Sequence, residues 1–223
     1  MNYRHEHKHE ISYGDLLTLR QRLKPVLQTD PHAARGSYWV RSLYFDTPGN
    51  TALWEKLNGV SRREKFRIRY YNEDLSFIRL EKKSKLGALC QKETATLTRE
   101  QVSRLLAGDR DWMESSKEPL IRELRQKMDS CLLSPKTVVC YLREPFIYPP
   151  GNVRVTLDRE IRTGWDVGAF LEPDSLTLPV PDDPIILEVK WDEFLPDLIR
   201  DLVQLEDRHC GAFSKYAQCR IYG

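Results

Sequence analysis

Residues 62–85 read RREKFRIRYYNEDLSFIRLEKKSK, and their period-two alternation constrains the chain more than any other feature. Side chains of a β-strand point to opposite faces in turn, so Phe66, Ile68 and Tyr70 share one face while Lys65, Arg67, Arg69 and Tyr71 share the other. After the turn NED the pattern recurs, with Ile78 and Leu80 on the apolar face and Arg79, Glu81, Lys83 and Lys85 on the charged one. Like charges at every second position repel one another unless an anion lies among them. The stretch therefore predicts paired strands with a cationic face that wants a partner.

The whole chain supplies no such field. Its 223 residues carry 35 Lys and Arg against 33 Asp and Glu, a formal net charge of +2, so any cationic site comes from local arrangement. Hydrophobic residues make up 40%, enough for one large domain, and no linker or repeat divides residues 1–223. No apolar run approaches the roughly 20 residues that span a bilayer, and MNYRHEHKHE lacks the apolar stretch of a signal peptide. The expectation is a cytoplasmic protein. A nucleic-acid partner is not expected, because no stripe of stacking aromatics interleaves the cations. Cys90, Cys131, Cys140, Cys210 and Cys219 are odd in number and lack Cys-x-x-Cys spacing, which predicts free thiols. His5, His7 and His9 alternate on one strand face without a fourth metal ligand nearby.

Helices are predicted between the strands. Ser12 is placed to cap a helix with the stripe Leu16, Leu19, Leu23 and Leu27, NTALWEKLNG reads as a short helix closed by Gly59, and Thr98 caps REQVSRLLAG. Further helices are expected over about 117–132 and 196–208, and strands over residues 3–11, YWVRSLYFDT, QKETATLT, TVVCYLREPFIY, NVRVTLDREIRTG and IILEVKW. EPDSLTLPVPDDP reads as an exposed loop, and SLYFD at 42–46 as core and strand-end packing beside Arg41.

The later strands repeat the polar face. Tyr141 and Arg143 share one side, as do Arg154, Thr156 and Asp158, and as do Glu188 and Lys190. Two readings fit: half-exposed antiparallel sheets that turn their charges to water, or an α+β fold with a closed antiparallel β-barrel, helices outside and charge inside. A charged interior is tolerable only if carboxylates, water or a polyanion compensate it, and repeating phosphates suit Arg and Lys.

The fragments RHEHKHEI, VRSLYFDTP, EKLNG, RREKFRIRYY, RLEKKSK, VVCYLREPF, VRVTLDREI, IILEVK and FSKY together resemble the VTC domain, the polyphosphate polymerase domain of the vacuolar transporter chaperone complex. The chain looks like the compact bacterial version, without the inositol-phosphate-sensing domain or membrane helices of the fungal proteins. The resemblance implies the triphosphate tunnel fold, an antiparallel barrel that takes ATP or another triphosphate, or polyphosphate, with Mn²⁺ or Mg²⁺. It implies transfer roles for Arg67, Arg69, Arg143, Arg154 and Lys215. It also implies phosphate contacts from Lys8, Lys56, Lys83, Lys85, Lys92, Lys190, Tyr141 and Ser214, and metal binding by Glu188 with Glu81 or Asp158. A membrane-protein partner is compatible with it.

Two departures accompany the resemblance. Lys56 stands where the fungal polymerase has an arginine, a point charge replacing a fork. Where tunnel triphosphatases open Glu-x-Glu-x-Lys, this chain has Arg4, Glu6 and Lys8, one carboxylate fewer, which favours transfer between phosphates over hydrolysis. A tunnel triphosphatase and a non-catalytic polyanion sensor remain as alternatives.

Overall fold

The computed structural model describes residues 4–33, 35–87, 89–205, 211 and 213–221. In chain order the elements are β1 (His5–Ile11), α1 (Tyr13–Leu23), β2 (Gln28–Thr29), β3 (Tyr38–Asp46), α2 (Thr51–Leu57), β4 (Arg62–Tyr71), β5 (Asp74–Leu86) and β6 (Leu89–Leu97). They continue with α3 (Arg99–Leu106), α4 (Pro119–Ser130), β7 (Ser134–Tyr148), β8 (Val153–Gly164), β9 (Leu178–Pro179), β10 (Ile185–Trp191), α5 (Asp197–Val203) and α6 (Lys215–Ile221). The class is α+β, as expected. The helix expected over 196–208 is seen as α5, and residues 206–208 together with Cys210 lie outside the described residues. The expected loop at 172–184 contains the short strand β9, and α6 was not foreseen.

The chain forms two compact units, each assembled from segments distant in sequence. The first takes residues 1–39, 141–161 and 181–213. Its strands follow the order β1, β10, β8, β7, with β2 added to β7, and the β1–β10, β10–β8 and β2–β7 ladders are antiparallel. Ser12 and Asp15 form a reciprocal capping box that starts α1, which satisfies two backbone donors that would otherwise lack partners. Leu16, Leu19, Leu23 and Leu27 then pack with Val153, Val155 and Leu157 of β8, Leu187 and Val189 of β10, and Ile199 of α5. One sheet face is thereby apolar and helix-covered, and Glu6, Lys8, Thr156, Asp158, Glu188 and Lys190 are left to the other.

The second unit takes residues 40–140, 162–180 and 214–223. Here β3, β4, β5 and β6 form a continuous antiparallel meander. Leu43, Phe45, Phe66, Ile68, Ile78 and Leu80 pack against Val102 and Leu105 of α3 and Leu120, Ile121 and Leu124 of α4. Thr98 caps α3 in a box with Gln101, and Gly59, at φ +68°, ends α2 in a left-handed conformation that glycine adopts without strain. Lys82 projects to the helix-covered side, as its phase predicts, where it meets Glu64, Glu93 and Glu123.

Candidate functional site

In the second unit the strand register stacks charge in rungs. Lys65 lies opposite Lys83, which lies opposite Lys92; Arg69 lies opposite Arg79; and Tyr44, Arg67, Glu81 and Thr94 form the rung between them. Like charges directly opposite one another in a sheet are destabilising. The carboxylate on this face that the ion pairs engage is Glu81, only 3% exposed, which takes Arg67 Nη2 at 2.5 Å, Arg69 Nη1 at 4.0 Å and the Lys92 ammonium. Burial would raise the Glu81 pKa, but Arg67, Arg69 and Lys92 outweigh it and hold the carboxyl well below the usual range. Glu81 therefore stays ionised and orients the guanidiniums.

β3 contributes residues that the sequence reading assigned to packing. Ser42 and Tyr44 lie across from Arg69 and Arg67, and their hydroxyls accept from Arg69 Nε at 2.8 Å and Arg67 Nη1 at 2.9 Å. Burial pushes the Tyr44 phenol up, yet Arg67, Arg69 and Lys65 together bring it down to about 8. Burial also lowers Lys65; Tyr44 works against that, while Lys56 and Arg63 add to it, leaving Lys65 at about 8. Lys65 sits 5.0 Å from the centroid of the Tyr216 ring, and that ring stacks on Tyr44. Tyr216 OH donates to Asp46, whose carboxylate also takes the backbone N–H groups of Ala52 and Leu53 at the start of α2. This clamp fixes the first turn of α6, where Ser214 Oγ accepts from Ala217 N at 3.3 Å and Lys215 follows. The Ser214 hydroxyl hydrogen remains available as a donor.

Arg41 does not join this face. It donates to the carbonyls of Pro173 and Ala169 and to Ser175, and so anchors the 169–175 segment. Arg63 is opposite Lys85 and continues the cationic alternation.

The first unit pairs its charges instead. One rung runs Lys8, Glu188, Thr156 and the next Glu6, Lys190, Arg154. Glu188 Oε1 lies 3.3 Å from Lys8 and 3.1 Å from Lys190, and its Oε2 lies 3.4 Å from Arg143. Glu6 reaches the same two lysines, at 2.8 and 3.5 Å. Burial lowers the Lys8 pKa but Glu188 and Glu6 raise it further, so the ammonium stays charged. Arg143 is held in a bidentate pair by the fully buried Asp158, with both bonds at 2.7 Å, and its guanidinium lies 5.2 Å from the Tyr141 ring. Arg154 donates to Tyr38 OH at 2.6 Å and Asp30 at 3.1 Å, while its Nε is buried without a partner. His5 and His7 pack on Trp191, with ring centroids 5.4 and 4.7 Å away.

The expected site residues thus fall into two groups. Lys8, Tyr141, Arg143, Arg154, Glu188 and Lys190 belong to the first unit; Lys56, Arg67, Arg69, Glu81, Lys83, Lys85, Lys92, Ser214 and Lys215 belong to the second. Ser42 and Tyr44 were missed, although Ser42, Tyr44 and Asp46 occupy alternate positions of an otherwise apolar strand, and Lys65, read onto the charged face, was given no site role. Among the described residues, no three His, Cys, Asp or Glu side chains converge as a metal cage. Mg²⁺ and Mn²⁺ do not need one, since one or two carboxylates completed by water and phosphate oxygens suffice. Glu188 and Glu6 fit that pattern: they are hard oxygen donors on neighbouring strands that share Lys8 and Lys190, and Thr156 Oγ1 opposite Glu188 is buried without a hydrogen-bond partner.

An α+β chain with antiparallel ladders and polar strand faces of this kind has the fold of the triphosphate tunnel proteins. It is similar to a proposed adenylyl cyclase from Hippeastrum described as revealing a dominant triphosphatase activity. The TM-score is 0.56 at 15% identity, covering 99% of this chain and 96% of that one. It is also similar to a proposed adenylate cyclase from Bacillus halodurans, with TM-score 0.50 and 14% identity over 89% of this chain and 86% of that one. No curated protein matches the sequence. The family model of the VTC domain matches residues 3–222, and the chain belongs to that family. Among the described residues, no helix is long and apolar enough to cross a membrane.

Proposed function

We propose that the chain is a polyphosphate polymerase of the tunnel type, which moves the γ-phosphoryl group of ATP onto a growing polyphosphate chain. The observation that carries this reading is the rung Lys65, Lys83, Lys92 beside Arg67 and Arg69: a row of like charges whose natural complement is a row of phosphates. Family membership supports it.

Phosphoryl transfer needs alignment and charge stabilisation more than a protein nucleophile. A terminal oxygen of the acceptor chain attacks the γ-phosphorus, the bond from that phosphorus to the β–γ bridging oxygen breaks, and ADP leaves with the electron pair. Arg67 and Arg69, oriented by Glu81, Tyr44 and Ser42, offer guanidinium edges to phosphoryl oxygens; Lys83, Lys85, Lys92 and Lys215 add point charges, and Ser214 a hydroxyl donor. In the first unit, Arg143 and Arg154 are the transfer cations, with Lys8, Lys190 and Tyr141 beside them. Glu188, with Glu6, would hold Mn²⁺ or Mg²⁺, which when bound neutralises phosphate charge. Glu81, enclosed by cations, is assigned to orienting them rather than to the metal. Residues 1–223 act together as one functional domain in this reading, in the cytoplasm.

A tunnel triphosphatase is the second reading, favoured by the activity described for the Hippeastrum protein. Against it, Arg4 replaces a carboxylate and is bound to Asp192 at 2.9 Å. The test is to incubate the protein with ATP and Mn²⁺ while following polyphosphate, ADP and free phosphate, with Glu188→Gln as control. Polymer appearing with ADP and lost in the variant is the expected result; free phosphate or tripolyphosphate without polymer would replace it with the triphosphatase. Turnover in neither direction, with tight triphosphate binding, would leave a polyanion sensor.

A further inference from the structure

We propose that the Thr156 hydroxyl is a ligand of the divalent cation held by Glu188. Thr156 is 2% exposed, and its Oγ1 has no hydrogen-bond partner. Buried hydroxyls are almost always bonded, and one left unpaired weakens the fold, so the side chain is kept at a cost that a well-packed valine would avoid. Its position explains why. Thr156 and Glu188 are directly opposite in the β8–β10 ladder, which puts their Cβ atoms about 5 Å apart on one face. Arg154 and Asp158, two residues to either side, project to the same face.

The neighbouring groups narrow what the hydroxyl can meet. Asp158 is engaged by both Arg143 bonds, and Glu188 already receives Lys8, Lys190 and Arg143. The charged groups of the two rungs balance, Lys8, Lys190 and Arg154 against Glu6, Glu188 and the Arg154 partner Asp30, so the cluster carries no net positive charge that would repel a cation. A cation that draws on the Glu188 carboxylate finds in Thr156 Oγ1 a neutral hard oxygen beside it, the chemistry that Mg²⁺ and Mn²⁺ prefer.

The inference rests on the metal assignment made for Glu188, and the experiment separates the two. Mn²⁺ is titrated into the nucleotide-free protein and followed by electron paramagnetic resonance, with tripolyphosphate binding in chelator and thermal unfolding of the ligand-free protein measured in parallel. Thr156→Val is expected to weaken Mn²⁺ binding by about tenfold or more, a loss typical of groups that order a metal site. Its ligand-free melting temperature should be equal to or above that of the parent, because an unpaired hydroxyl has been removed, and Thr156→Ser should recover the affinity. Metal-free tripolyphosphate binding should stay unchanged. Unaltered Mn²⁺ binding in Thr156→Val alongside loss in Glu188→Gln would overturn the Thr156 assignment alone. Unaltered binding in both, or no Mn²⁺ uptake by the parent, would overturn both assignments. A lower melting temperature in Thr156→Val, or loss confined to tripolyphosphate, would make the hydroxyl structural or phosphate-binding and reject it as a metal ligand.

Discussion

The two units solve the problem of a charged strand face in opposite ways. In the first, each charge meets an opposite partner: Lys8 faces Glu188, Glu6 faces Lys190, Arg143 is locked to Asp158, and Arg154, although opposite Lys190, is paired with Asp30. In the second, Lys65, Lys83 and Lys92 face one another, Arg69 faces Arg79, and Glu81 is shared by Arg67, Arg69 and Lys92. The charges of the first face are balanced among themselves, whereas the lysine rung of the second has like charges opposite one another. In the proposed function, the surplus of the second unit is the main anion attractor, and the first unit combines phosphate contacts with the metal carboxylates.

The largest expected effect breaks the first face. Arg143→Ala leaves the Asp158 carboxylate fully buried without its bidentate partner, and uncompensated buried charges of this kind cost about 3–5 kcal/mol. Chemical denaturation should show a loss of that size, and pairing Arg143→Met with Asp158→Leu should recover most of it. The equivalent cut in the second unit should behave differently. Arg69→Ala leaves Glu81 with Arg67 and Lys92, so stability should fall far less, whereas triphosphate affinity by calorimetry should fall about ten- to a hundredfold, since hydrogen bonds to charged groups are worth roughly 1.5–3 kcal/mol. If Arg69→Ala unfolds the protein as severely as Arg143→Ala, the contrast between the faces is wrong.

A smaller effect of opposite sign should come from Lys83→Glu. Lys83 is exposed, and a carboxylate there would stand between Lys65 and Lys92, turning a repulsive rung into an attractive one. Cross-strand pairs contribute about 0.2–1 kcal/mol, so the ligand-free protein should gain up to about 1 kcal/mol in denaturant midpoint analysis while triphosphate binding weakens. A functional face is one that can be stabilised by spoiling it. The charged positions of the self-paired face offer no such gain, and Lys8→Glu, placed among Glu6 and Glu188, should only destabilise.

The sequence makes this contrast half visible. Period-two alternation exposes β4 and β5 because each carries enough charged residues in phase, and cap residues such as Ser12 and Thr98 locate α1 and α3. Ser42 and Tyr44 escape because their neighbours Leu43 and Phe45 make SLYFD look like core, although alternation alone would have separated the two sets. α6 is too short, at seven residues, to show a helical period, and β2 and β9 are two-residue pairings with no pattern at all. What the alternation does not supply is register, and for distant segments the choice of neighbour. Lys65, Lys83 and Lys92 lie on consecutive strands, but only the hairpin register sets them opposite one another, whereas Glu188 is brought between Lys8 and Thr156 from distant parts of the chain.

The finest test uses pH. Tyr44 and Lys65 both have folded pKa values brought down to about 8, from ordinary values of 10.0 and 10.5. Between pH 8 and about 10 the unfolded chain consequently holds more protons than the folded one, and ligand-free stability should rise with pH across that window. Affinity should move the other way. As Tyr44 ionises it brings a negative charge beside Arg67 and Arg69, and as Lys65 discharges the lysine rung loses a cation. Triphosphate binding followed from pH 7 to 9.5 should therefore weaken several-fold while the melting temperature of the empty protein climbs. Tyr44→Phe removes the phenol and should flatten both curves, leaving the remaining slope to Lys65. Melting and affinity that rise together would mean that these two groups do not face the bound phosphates, and the anion would have to be sought further along the face, toward Lys85 and Arg63.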